Sequence, residues 1–120
     1  MTYSQTYTVK SADTADTLGS GLLSVYATPA MIALMENTAA KAITDLEENL
    51  TTVGIEINAK HLRASLVGEA LTCNAELTSH SGKIYEFYIE VFNSSQEKIG
   101  TAAHKRAAVN KTEFMKRLEK

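Results

Sequence analysis

A threonine, a glutamate and a histidine at positions 28, 36 and 61 offer a hydroxyl, a carboxylate and an imidazole. Such groups can attack or orient, take a proton from water, and carry protons near neutral pH. Thr28 and Glu36 stand eight residues apart, a little over two helical turns with about 12 Å of rise, so they converge only through a bound substrate or water. Glu36 is nearly alone among apolar neighbours in Met31-Ile-Ala-Leu-Met-Glu-Asn-Thr-Ala39. A carboxylate on such a face loses solvation, which suits a base acting on water or a nucleophile, and is otherwise satisfied by backbone or an ion pair. Thr28 precedes Pro29, so its hydroxyl also fits a helix cap, and the free N–H groups there suit a developing oxyanion. His61 alternates with Ile55, Ile57 and Ala59, which points it inward, either as a proton carrier or as a core histidine with a partner. Gly54, upstream in the same stretch, reads as a strand bend or bulge.

Other chemistry-bearing residues are less organised. His80 and His104 lie on separate segments without ligand spacing, so no metal site is expected. Cys73 reads as a small packed residue, and as the single cysteine it excludes an intramolecular disulfide and fits a reducing compartment. His104-Lys105-Arg106 reads as a solvated basic edge.

These side chains need a helix and strands to hold them. Thr28-Pro29 starts a helix that the three-four spacing of Met31, Leu34, Met35, Thr38, Ala42, Leu46 and Leu50 extends to about Asn49, with Ile32, Ala39 and Ile43 widening its apolar band. Residues 3–10 alternate as a short strand, and residues 11–21 read as loop or helical turn. Residues 52–63, 69–80, 84–93 and 98–110 are rich in β-branched and aromatic types. The short breaks between them carry turn chemistry, so neighbours are expected to run antiparallel as a meander, with Tyr85, Phe87, Ile89 and Val91 on one face. Asn110-Lys-Thr-Glu113 has capping-box spacing for a closing helix bearing Phe114, Met115 and Leu118. The pattern is α+β: a hotdog fold, with a long central helix wrapped by a five-stranded antiparallel sheet. Edge strands this long favour pairing between two subunits.

The 120 residues leave room for one domain, 1–120. A net charge of −2 provides no field for nucleic acid or an anionic membrane, and no apolar run reaches membrane-helix length. A soluble cytoplasmic protein is expected.

The stretch Val25-Tyr-Ala-Thr28-Pro29-Ala-Met-Ile-Ala-Leu34-Met35-Glu36-Asn-Thr-Ala39, followed by Thr52-Val-Gly54-Ile-Glu-Ile-Asn-Ala-Lys-His61-Leu62, resembles the hotdog thioesterases of the fluoroacetyl-CoA thioesterase type. Gly68-Glu69 and the stretch from Gly100 to Arg106 extend the likeness from residue 25 to about 115. The resemblance implies an acyl-CoA substrate, Thr28, Glu36 and His61 as the catalytic group, and a Gly54 N–H that reaches the substrate carbonyl. It also implies a homodimer, possibly a tetramer, and no cofactor beyond the coenzyme A of the substrate. Lys105 or Arg106 would then meet its phosphates. Members selective for fluoroacetate carry phenylalanines before the Thr-Pro motif, whereas residues 16–25 offer only Leu18, Leu22 and Leu23 to close an apolar pocket, with Gly19 and Gly21 loosening the loop. A short or medium acyl-CoA is therefore expected as substrate. The other reading is a hotdog protein that binds acyl-CoA or another apolar ligand without turning it over.

Overall fold

The computed structural model describes residues 1–119. Pro29 opens the long helix α2 (Thr28–Ala42), where its missing N–H costs nothing. The helix buries Met31, Leu34, Met35, Thr38, Ala39 and Ala42, the face marked by the three-four spacing. It stops seven residues short of the expected end near position 49, because Ile43 turns extended (φ −89°, ψ 108°). Ile43 and Thr44 are β-branched and lose rotamer freedom in a helix. The extended path lets Ile43 stay buried and Leu46 pack on the core while the chain swings toward the next strand.

Ahead of α2 come strand β1 (Thr2–Thr8), a 3-10 turn (Ser11–Asp13) and the single-turn helix α1 (Ala15–Leu18). After it come β2 (Leu50–His61), β3 (Ala70–Ser81), β4 (Ile84–Phe92), β5 (Lys98–Asn110) and helix α3 (Lys111–Leu118). Asn110 caps α3, its Oδ1 accepting the Glu113 N–H at 3.0 Å.

The five strands form one antiparallel sheet in the order β1-β3-β4-β5-β2. The meander holds for β3, β4 and β5 but not for β2, which pairs with β5 at the far edge. Residues 62–69 between β2 and β3 are too many for a tight hairpin, and β3 is already paired with β1. The chain thus crosses from one edge to the other through α2, which lies over the inward face. There Leu71, Cys73, Tyr85, Phe87, Ile89, Val91 and Ile99 meet the helix as one core.

Strand β2 carries a bulge. Gly54 opposes Arg106 and Glu56 opposes Lys105, leaving Ile55 as the extra residue. Ile55 is 53% exposed, so it leaves the face it was expected to share, while Ile57 and Ala59 pack on the core.

Candidate active site

The first turn of α2 and the last residue of β2 meet through their side chains. Thr28 Oγ1 lies 2.9 Å from His61 Nδ1. Ala27 takes the N-cap position and receives no side-chain hydrogen bond. The Thr28 hydroxyl is thus spent on the imidazole and not on the helix end, which corrects its reading as a cap.

His61 Nε2 is buried and has no hydrogen-bond partner among the described residues. The ring packs edge-on to Tyr26, with centroids 6.2 Å apart and an interplanar angle of 83°. Burial pushes the His61 pKa below its ordinary 6.5, partly opposed by the Arg63 backbone. The neutral ring can therefore accept the Thr28 proton at Nδ1 and carry its own hydrogen on Nε2.

Glu36 stands two turns further along α2, in a second group of residues. Its side chain is 39% exposed, and Oε2 lies 3.8 Å from Arg106 Nη1, an ionic contact beyond hydrogen-bond length. Among the described residues its carboxylate makes no hydrogen bond, so its lone pairs are open to a ligand. Gly54 is the strand residue beneath it. A Cβ there would sit 2.5 Å from Glu36 Oε2 and 3.4 Å from Arg106 Nη1, so only glycine leaves the carboxylate where it is.

Within the chain the expected trio is thus divided. His61 is with Thr28, and Glu36 is with Gly54. The seven residues from Gly54 to His61 span about 23 Å of extended strand.

Arg106 is 8% exposed, not free at the surface as the basic-edge reading requires. Its Nε donates to Thr52 Oγ1 at 2.9 Å, Nη2 to the Thr52 carbonyl at 3.0 Å and Nη1 to His104 Nε2 at 3.2 Å. With these bonds made, the guanidinium presents Nη1 to Glu36. Lys105, which alternates with them, is the member of the triplet not buried.

Thr52 and His104 escaped the sequence reading. The signal was the alternation of Ala102, His104 and Arg106, which sets all three on the inward face of β5. Leu22 and Leu23 stand 95% and 68% exposed. Leu18 instead lines an open groove of about 690 Å³ with Tyr7, Pro29, Ala33, Leu34 and Lys41. Cys73 is fully buried, and burial pushes its thiol up to about 11, which keeps it protonated. Among the described residues no cluster of three His, Cys, Asp or Glu could hold a metal, and no helix is long and apolar enough to cross a membrane.

Comparison with known proteins gives this geometry a class. The family described as the fluoroacetyl-CoA-specific thioesterase matches residues 9–112. A mutant of that thioesterase, solved with fluoroacetate and CoA, is 25% identical with a TM-score of 0.88, covering 95% of this chain and 96% of its own. A thioesterase superfamily member from Thermus thermophilus is 25% identical with a TM-score of 0.89, covering 99% of this chain and 90% of its own. A hot-dog-like protein from Thermanaerovibrio acidaminovorans, 19% identical, covers 98% of this chain and 87% of its own with a TM-score of 0.88. No curated protein matches the chain in sequence. The fold is a hotdog, and the protein is a thioester hydrolase. More narrowly, the chain belongs to the fluoroacetyl-CoA-specific thioesterase family.

Proposed function

We propose that this protein hydrolyses a short or medium acyl-CoA thioester to the free acid and CoA, and that it does so in the cytoplasm as a homodimer with Thr28, Glu36 and His61 as catalytic residues. The observation that carries the reading is the pair of unfinished groups on α2 and β2. Among the described residues His61 presents a buried Nε2 with no partner, and Glu36 presents a carboxylate with no hydrogen bond. Each is what the other lacks, a donor and an acceptor, but within one copy of the chain they belong to separate groups, the imidazole with Thr28 at the start of α2 and the carboxylate over Gly54 two turns further on. A second copy docked along the β2 edge can bring the Thr28–His61 pair of one subunit to the Glu36–Gly54 group of the other.

In the assembled site Glu36 takes a proton from water, and the hydroxide adds to the thioester carbonyl. The Gly54 N–H meets the oxygen that becomes negative. As the C–S bond breaks, Glu36 gives the proton it took from water to the leaving CoA thiolate, while the neutral His61 ring donates an Nε2–H hydrogen bond to the sulfur and Thr28 holds the ring. Water and thioester thus become acid and thiol with no other reactant. Leu22 and Leu23, exposed just before α2, are apolar surface available to cover the acyl group. They have the size for a short or medium chain but not the aromatic rings of the fluoroacetate-selective enzymes. Arg106 remains a candidate for substrate contact through its Nη1 face toward Glu36, not through outer phosphates.

The test is thiol release from acetyl-, butyryl-, hexanoyl-, phenylacetyl- and fluoroacetyl-CoA with wild type, Glu36→Ala and His61→Ala, followed by a mixture of the two variants. Each variant alone should be inactive. Mixed dimers keep one intact site, so roughly a quarter of wild-type activity should return. An inactive mixture of folded, exchanged dimers would overturn the shared site, and an active Glu36→Ala would overturn the mechanism.

A further inference from the structure

His104 is 2% exposed, and each of its ring nitrogens is engaged in a different sense. Nδ1 lies 2.7 Å from the Glu56 backbone carbonyl, which can only accept, so Nδ1 carries the hydrogen. Nε2 lies 3.2 Å from Arg106 Nη1, which can only donate, so Nε2 keeps its lone pair. One tautomer satisfies both contacts, and it is neutral.

The same Nη1 faces the Glu36 carboxylate at 3.8 Å. Thr52 fixes Nε and Nη2 of the guanidinium, and His104 supplies the acceptor for the nitrogen nearest Glu36. The carbonyl that fixes the ring belongs to Glu56, the residue just past the bulge, and a Cβ on Gly54 would lie 3.3 Å from His104 Cε1. Bulge, imidazole, guanidinium and carboxylate form one chain of contacts from β2 through β5 to α2.

We propose that His104 is a positioning residue of the hydrolytic site, a neutral imidazole that holds Arg106 against Glu36 and so sets the direction of the carboxylate. The inference rests on Glu36 being the base. Protonation of His104 would replace its lone pair by a second N–H aimed at a cation, breaking the contact and pushing Arg106 away. The charged groups facing the ring are Arg106 on β5 and Glu36 on α2. Its neighbours across the sheet, Phe87 on β4 and Ile57 on β2, do not titrate. Burial pushes its pKa below 6.5, the Glu56 carbonyl and Glu36 oppose this, and Arg106 adds to it, so the neutral form prevails at neutral pH.

Two variants separate positioning from packing. His104→Phe keeps a ring in the core but gives Arg106 no acceptor, whereas His104→Gln has both an N–H and an oxygen for the two contacts. With the most active acyl-CoA of the panel, His104→Phe should lower kcat about tenfold to a hundredfold with KM changed less than threefold, because a displaced carboxylate costs the chemical step. His104→Gln should recover most of the loss and shed the part of the acid limb of the kcat profile due to His104. In wild type, long-range nitrogen–proton spectra should show His104 with the hydrogen on Nδ1, a readout that needs no substrate. A folded His104→Phe with wild-type kcat, beside an inactive Glu36→Ala, would overturn this proposal alone. Hydrogen on Nε2 would also overturn it. An active Glu36→Ala would instead overturn the function reading beneath it.

Discussion

The Thr28 hydroxyl, 2.9 Å from His61 Nδ1, ties the start of the central helix to the end of strand β2. Thr28→Val keeps the shape and removes the hydroxyl. Activity should fall about a hundredfold or more, while stability should change by about 1 kcal/mol or less because Thr28 is exposed. Thr28→Ser should keep both. Steady-state kinetics beside urea unfolding checks the split.

Gly54→Ala should spare the fold and damage the chemistry. The added Cβ meets the end of the Glu36 side chain, a flexible group that yields, so Oε2 is displaced and the backbone is not. A fall of about tenfold to a hundredfold in kcat is expected. The unfolding midpoint should move little.

Arg106→Lys separates a buried strut from a phosphate contact. Lysine cannot donate simultaneously to both Thr52 acceptors and His104, so buried acceptors lose partners at a cost of about 2–3 kcal/mol. A surface phosphate contact would instead raise KM for acyl-CoA and leave stability unchanged. Thermal unfolding and kinetics on the same sample decide it.

Acid should weaken the fold through the buried His104 and the half-buried His61. Burial lowers the pKa of both His61 and His104 below the 6.5 of an unfolded histidine. The unfolded chain therefore binds these protons first as the pH falls, so stability drops below about pH 6.5 and the loss is complete beneath the folded pKa values. Urea midpoints at pH 8 and pH 5.5 should differ in that direction. His104→Gln should reduce the difference.

Leu22→Ser and Leu23→Ser should leave stability within about 0.5 kcal/mol, since both side chains are already exposed. Their effect should fall on KM, and more on hexanoyl-CoA than on acetyl-CoA. Equal KM values across the panel would remove both leucines from the acyl site.

Helix, strands and closing cap were legible because their signals are local: Thr28-Pro29, the three-four run from Met31 to Ala42, the alternation from Tyr85 to Val91, and Asn110 with Glu113. The end of α2 was not, because Ile43 and Leu46 continue the apolar spacing while following an extended path onto the core. The seat of β2 was hidden for a different reason. Its partner is chosen by β1 already occupying β3, a competition between segments far apart in sequence. The candidate site residues were legible one by one, but not their sorting into two groups, which depends on how far α2 and β2 each extend. His104 was read as part of a charged edge because its neighbours in sequence are basic, although its neighbours in space are a carbonyl and a guanidinium.

The bulge at Ile55 has a consequence for how β2 tolerates change. Thr52 and Gly54 on one side of it, and Ile57, Ala59 and His61 on the other, all turn toward the helix, although even positions give way to odd ones. The extra residue is a parity switch. Deleting Ile55 would remove the bulge and let plain alternation keep Thr52, Gly54, Ile57, Ala59 and His61 on the inward face, whereas one residue inserted beside it, with the bulge kept, would rotate either Gly54 or His61 to the outer surface. A single-residue insertion in this strand should therefore abolish activity, whereas loss of Ile55 alone, or changes made two residues at a time, would preserve which way each group faces.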